Sequence, residues 1–151
     1  MNVQQKVKEL GLELPPPPQP VGAYVQAART GNLVYTAGQI PTREGKLISS
    51  GKVPTDVSLE QAQAAARQAV LNGLAAISTV VPLDSIRRVV RMNVFVHSAP
   101  GFTEHAKVGN GASELLVAIF GEAGRHTRCA IGAAELPLSA PVELDLLVEV
   151  G

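Results

Sequence analysis

Gly124–Val150, GRHTRCAIGAAELPLSAPVELDLLVEV, is the stretch whose reading decides the fold. Its two apolar runs read as strands. In the second, Val142, Leu144, Leu146, Val148 and Val150 alternate with Glu143, Asp145 and Glu149, as in a strand with one face in a core. In the first, Arg128, Ala130, Gly132 and Ala134 share one face, and Cys129, Ile131 and Ala133 the other. A core hairpin needs neither the basic cluster Arg125, His126 and Arg128 nor the row of acids. Arg128 is followed on its own face by small side chains. They leave room for a ligand beside a guanidinium, which can grip a carboxylate through two parallel hydrogen bonds. The same pattern suits an arginine capping a strand that packs under a helix, and the residues alone leave both readings open. If 137–141 form a simple hairpin turn, Glu143 faces Glu135 and Arg128 lies roughly 23 Å away at strand rise. A pocket using both charges then needs a displaced pairing or a subunit interface.

Working outward, Val90, Met92, Val94 and Val96 alternate with Arg91, Asn93, Phe95 and His97 and predict another half-buried strand. Between it and Arg128, residues 102–119 predict a helix with Val108, Ala112, Leu115 and Ile119 as its core stripe. Gly109 and Gly111 lower its propensity. Upstream, Ser58 and Gln61 match a capping box that opens a helix with Ala62, Ala66, Ala69, Gly73 and Ile77 on one face. Two short strands flank Gly31-Asn32, a dipeptide suited to a tight hairpin. Residues 42–54 are turn-rich, with a short strand near Leu47-Ile48. Residues 3–10 predict a short amphipathic helix with Val3, Val7 and Leu10 on one side. Pro15–Pro20 form an extended strap, because proline fixes φ and lacks the amide donor. The chain divides into an N-terminal helix and strap, 1–20, and a domain, 21–151. The element order β-β-α-β-α-β-β, largely antiparallel at both ends, gives an α+β two-layer sandwich.

Only 17% of the 151 residues are charged against 46% hydrophobic, which implies a surface partly covered by a partner, foremost another copy. Thirteen basic and thirteen acidic residues cancel, which argues against non-specific nucleic-acid binding. A single cysteine, Cys129, excludes an intrachain disulfide and fits a reducing compartment. No apolar stretch approaches membrane-spanning length and the N-terminus lacks a secretory core, so a soluble, cytoplasmic protein is expected. His97, His105 and His126 have no metal-ligand spacing. Cys129 faces away from Arg128, which argues against a nucleophilic role beside it. GNGASE, 109–114, follows helical pattern and not a strand, so it does not read as a nucleotide fingerprint.

VGAYVQAARTGNLVYTAGQIP, 21–41, resembles the N-terminal hairpin of the RidA/YjgF family of enamine/imine deaminases, once described as endoribonucleases of the L-PSP type. TRCAIGAAELPLSAPVELDLLVEV, 127–150, resembles that family's C-terminal pair in its Arg, Leu-Pro and Val-Glu spacing. The resemblance covers residues 20–150. It implies a chorismate-mutase-like protomer in a homotrimer, with sheets facing an inner β-barrel, helices outside and pockets between subunits. It implies hydrolysis of 2-imino and 2-enamino acids to 2-keto acids and ammonia, with no metal or cofactor. Arg128 falls on the family's carboxylate-binding arginine and Glu143 on its water-orienting glutamate. Tyr24, Gly38, Gln39 and Asn110 fall on pocket positions, and His126 is expected to share the face of Arg128 and reshape the pocket. Ala37 stands where the family has serine and Ala130 where it has cysteine, which marks a divergent branch. Two other functions stay open: a non-catalytic regulator that binds small carboxylates, and an endoribonuclease or translation inhibitor. The neutral charge and sparse aromatics rank the last lowest.

Overall fold

The computed structural model describes residues 2–151. The chain runs α1 (Val3–Glu9), β1 (Ala27–Thr30), β2 (Leu33–Thr36), β3 (Thr42–Arg43), β4 (Lys46–Leu47), α2 (Leu59–Ile77), β5 (Ile86–His97), α3 (His105–Phe120), β6 (Thr127–Ala133) and β7 (Val142–Val150). Five strands form one sheet in the order β1-β2-β7-β5-β6, and β3-β4 form a separate small hairpin. The helices α2 and α3 pack side by side on one face of the sheet.

Several elements form for the reasons their residues suggest. Gly31 adopts φ +56° and closes the β1–β2 hairpin, in which Thr30 pairs with Leu33. Ser58 accepts from the Gln61 amide, and the Gln61 side chain accepts from the Ser58 amide, completing the capping box of α2. Ala62, Ala66, Ala69, Gly73 and Ile77 are all buried. A Cβ on Gly73 would stand 2.9 Å from Leu146 Cδ1, so the missing side chain lets α2 press onto β7. Val142, Leu144, Leu146, Val148 and Val150 are all buried against the helices. Val3 and Val7 of α1 join the same core, whereas Leu10 lies beyond the helix and is exposed.

The expected topology needs three corrections. First, there is no closed β-barrel among the described residues. The five-stranded sheet is open, with β1 and β6 at its edges and one face free of helices. Second, β6 and β7 are not a hairpin. Both flank β5, β7 antiparallel and β6 parallel, because α3 serves as the crossover that a parallel pair requires. Third, the core phase of β5 breaks at its start. A register shift between Val89 and Arg91 makes Val89 the buried residue and leaves Val90 partly exposed. The small β3–β4 hairpin and α1 also extend the simple β-β-α-β-α-β-β order.

Candidate functional site

Arg128 pairs in register with Met92, which is fully buried on the helix-covered face. Its side chain therefore runs beneath α3, at the open edge of the sheet. There Nη1 donates to Asn110 Oδ1 and to Ser113 Oγ, both at 3.0 Å, and Nη2 donates to the Ala106 carbonyl at 3.3 Å. Gly109 lies against the guanidinium. A Cβ there would stand 3.1 Å from both Cζ and Nη1. The glycine that weakens the helix on paper seats the arginine in the fold. Three of the five guanidinium N–H groups are thus held, and Nε–H with one hydrogen of Nη2 has no partner among the described residues. Those donors suit a carboxylate.

His126 joins this cluster through Ser113, as their shared face suggests. Its Nε2 lies 2.9 Å from Ser113 Oγ and its Nδ1 lies 2.6 Å from the Gly124 carbonyl. Arg128, Asn110 and His126 are therefore brought together. Ser113 and Gly109 complete the group, and neither stands out in the sequence as a functional residue. The signal available for Ser113 is its helical spacing of three from Asn110, which puts both on one side of α3.

Glu143 sits elsewhere. It pairs with Phe95 on the face without helices, and Gly38 lies against it. A Cβ on Gly38 would stand 2.6 Å from Glu143 Oε2. Burial first, and the charge of Asp145 second, raise the Glu143 carboxyl above its ordinary pKa of 4.5. Asp145 itself accepts from Asn93 Nδ2 at 3.0 Å. Gln39 follows Gly38 and bridges by backbone to Leu144, with its side chain donating to Gln26 Oε1 and the Ala37 carbonyl. Tyr24 is exposed in the irregular segment before β1, close to Gly22.

Arg128 and Glu143 consequently point to opposite faces of one sheet. Counted across β5, their Cα atoms are two strand spacings and three residues apart, on the order of 14 Å. The 23 Å expected from a hairpin is too long because each strand pairs with β5 and not with the other. Cys129 is exposed on the face away from Arg128, where its sulfur accepts from Arg91 Nη2 at 3.2 Å. No group of three or more His, Cys, Asp or Glu among the described residues is placed to hold a metal ion.

A family model described as "YjgF/chorismate_mutase-like, putative endoribonuclease" matches residues 4–150. The chain belongs to the RidA/YjgF family. Within it the chain is 39% identical to protein TCP17 of Trypanosoma cruzi over 98% of this chain and 94% of that protein. It is 30% identical to a 2-iminobutanoate/2-iminopropanoate deaminase of Dermatophagoides farinae, covering 91% of this chain and 93% of the other. Among solved structures it resembles the Agrobacterium tumefaciens protein Atu1372, a protein of unknown function. The TM-score is 0.91 at 42% identity, covering 99% of this chain and 92% of that one. The chain is a divergent branch of the RidA/YjgF family. Ala130 is packed partly against the hydrophobic core, one step along β6 from Arg128 on the same face.

Proposed function

We propose that this RidA/YjgF protein is a hydrolytic deaminase of reactive 2-imino and 2-enamino acids, releasing 2-keto acids and ammonia. The observation that carries the reading is the Arg128 guanidinium, fixed by Asn110, Ser113 and the Ala106 carbonyl with N–H donors left for a carboxylate. The similarity to the mite deaminase over nearly the whole chain supports the same class of substrate.

Arg128 binds the substrate carboxylate and so fixes the imine carbon next to it. Glu143 accepts a proton from the attacking water as the new C–O bond forms, then delivers it to the nitrogen of the adduct. A pKa raised by burial suits a carboxylate that must both take and return a proton. Gly38 gives that carboxylate room, and Tyr24 and Gln39 complete the pocket wall.

Because Arg128 and Glu143 lie on opposite faces of one sheet, we place the working site between copies of the chain. A homotrimer is the proposed assembly. Its contacts would cover the face that carries the exposed Tyr35 and Ile131.

The test is release of ammonia and 2-keto acid from 2-iminobutanoate generated in place by a threonine dehydratase. Wild type should accelerate release and Arg128→Ala should not, while keeping its oligomeric state by light scattering. A wild type that binds 2-oxobutanoate but accelerates nothing would favour a carboxylate-binding regulator. That outcome would follow from the loss of the family's serine and cysteine at Ala37 and Ala130.

A further inference from the structure

Both hydrogens of Arg128 Nη1 are taken, one by Asn110 Oδ1 and one by Ser113 Oγ, each at 3.0 Å. The guanidinium therefore has only Nε–H and one hydrogen of Nη2 to offer a ligand. The Asn110 oxygen can only accept. A serine hydroxyl can also donate, and a proton turned toward the guanidinium would lose the bond. Whatever fixes the Ser113 proton decides how firmly Arg128 is held. His126 fixes it. The Gly124 carbonyl can only accept, so His126 Nδ1, 2.6 Å away, carries a proton. In the neutral ring Nε2 is then the acceptor, and the Ser113 hydroxyl, 2.9 Å away, donates to it. The Gly124 carbonyl is itself held in place. A Cβ on Gly124 would stand 2.7 Å from the Leu116 carbonyl carbon and 3.0 Å from Val117 Cα, so this turn is pressed onto the backbone of α3. The same helix carries Asn110 and Ser113.

We propose that His126 and Ser113 are positioning residues that set the carboxylate site of Arg128. This rests on the reading of Arg128 as the carboxylate anchor. Neither residue touches the substrate. His126 takes the Ser113 proton, which turns the Ser113 lone pairs toward Nη1 and makes that oxygen a stronger acceptor. Nη1 is thereby locked against α3, and the Nε side of the guanidinium is left to meet the carboxylate. The effect of His126 passes wholly through Ser113, because its one link to the arginine is that hydroxyl. The basic cluster at the start of β6 thus holds an anchor and its support, with the support reaching the anchor by way of the helix.

A double-mutant cycle read by calorimetry with 2-oxobutanoate tests this. Ser113→Ala should weaken binding roughly tenfold, the loss of a hydrogen bond to a charged group. Ser113→Thr, which keeps the hydroxyl, should recover most of it. His126→Phe keeps a ring but loses both nitrogens. It should weaken binding when Ser113 is present, and change it by less than about twofold in the Ser113→Ala background. In the 2-iminobutanoate assay the same variants should raise KM and leave kcat within about twofold of wild type. Nitrogen-15 NMR of histidine-labelled protein, with His126 assigned through His126→Phe, should show a protonated Nδ1 and an unprotonated Nε2 in the neutral ring. The opposite tautomer would overturn the proposal. An equal loss from His126→Phe in both backgrounds would reveal a second route and overturn it too, as would a fall in kcat at unchanged KM, which would put the pair in the chemistry. A wild type that binds 2-oxobutanoate without accelerating release removes the deaminase reading, and the binding cycle still decides the positioning role. Should wild type bind no better than Arg128→Ala, the anchor reading falls and the proposal falls with it. Binding that is lost in Arg128→Ala but kept in Ser113→Ala and His126→Phe removes the positioning role alone.

Discussion

Glu143 has its carboxyl pKa raised by burial and by Asp145. A raised pKa means that the folded chain holds the proton to higher pH than the unfolded chain does. The contribution of Glu143 to stability is therefore greatest below the unfolded value, near 4.5, and falls as pH rises through the raised folded value. Activity runs the other way, because a base must be ionised. The acid limb of kcat/KM for the deaminase reaction should lie above pH 4.5 and fall as pH drops through it. Asp145→Asn removes the lesser of the two causes, so the limb should move down but stop short of the ordinary value, since burial remains. A pH–rate series on both proteins checks this, and a wild-type limb at or below 4.5 would remove Glu143 from the base role. At this scale several residues singled out in the sequence lie close to one another: Arg128 donates to Asn110, His126 reaches the same cluster through Ser113, and Gly38 lies against Glu143. Ser113 escaped notice because its partners come from another element. Alternation along a strand names the face of Arg128 but not what rests on that face.

At the scale of elements, the glycines of α3 show how a helix can trade propensity for contact. Gly111 faces the start of α2, and a Cβ there would stand 2.6 Å from the Gln63 carbonyl oxygen and 2.9 Å from its Cα. Backbone cannot swing aside as a side-chain tip can. Gly111→Ala should therefore cost about 1–3 kcal/mol despite alanine's better helix propensity. Thermal unfolding reads this directly, and a stabilised variant would mean that the helices can part freely. The same close packing sets the height of Asn110 and Ser113 over Arg128, since Asn110, Gly111 and Ser113 lie within one stretch of α3. The elements themselves were legible: α2 by its capping box and small-residue face, β7 by strict alternation, the β1–β2 turn by Gly31-Asn32. The pairing of β6 and β7 with β5 was not. A strand's pattern fixes which side chains face inward but carries no mark of its neighbour. The loop 134–141 looks like a hairpin turn, yet it carries the chain from one side of β5 to the other.

For the whole molecule, the placement of the two charges that the proposed reaction uses on opposite faces of a single sheet sets a strong constraint. Neither charge can cross the sheet, which is hydrogen-bonded through β5 between them. A reaction needing both must draw Arg128 from one copy and Glu143 from another. The low charge content and the helix-free face with exposed Tyr35 and Ile131 fit such an assembly. The expected inner barrel went further than the chain does, because one open sheet with free edges is what these residues close by themselves. The shared site can be tested without any structure of the assembly. Arg128→Ala and Glu143→Gln should each be inactive alone. Co-expressed in equal amounts, they should assemble at random, so that a shared site receives an intact Arg128 from one copy and an intact Glu143 from the next about one quarter of the time. Ammonia release should then recover to about that fraction of wild type. Mixing the two folded variants under conditions that prevent subunit exchange should recover nothing. Were both charges instead supplied by the same copy, every site in the mixed oligomer would lack one of them, and co-expression would leave the protein as inactive as either variant alone.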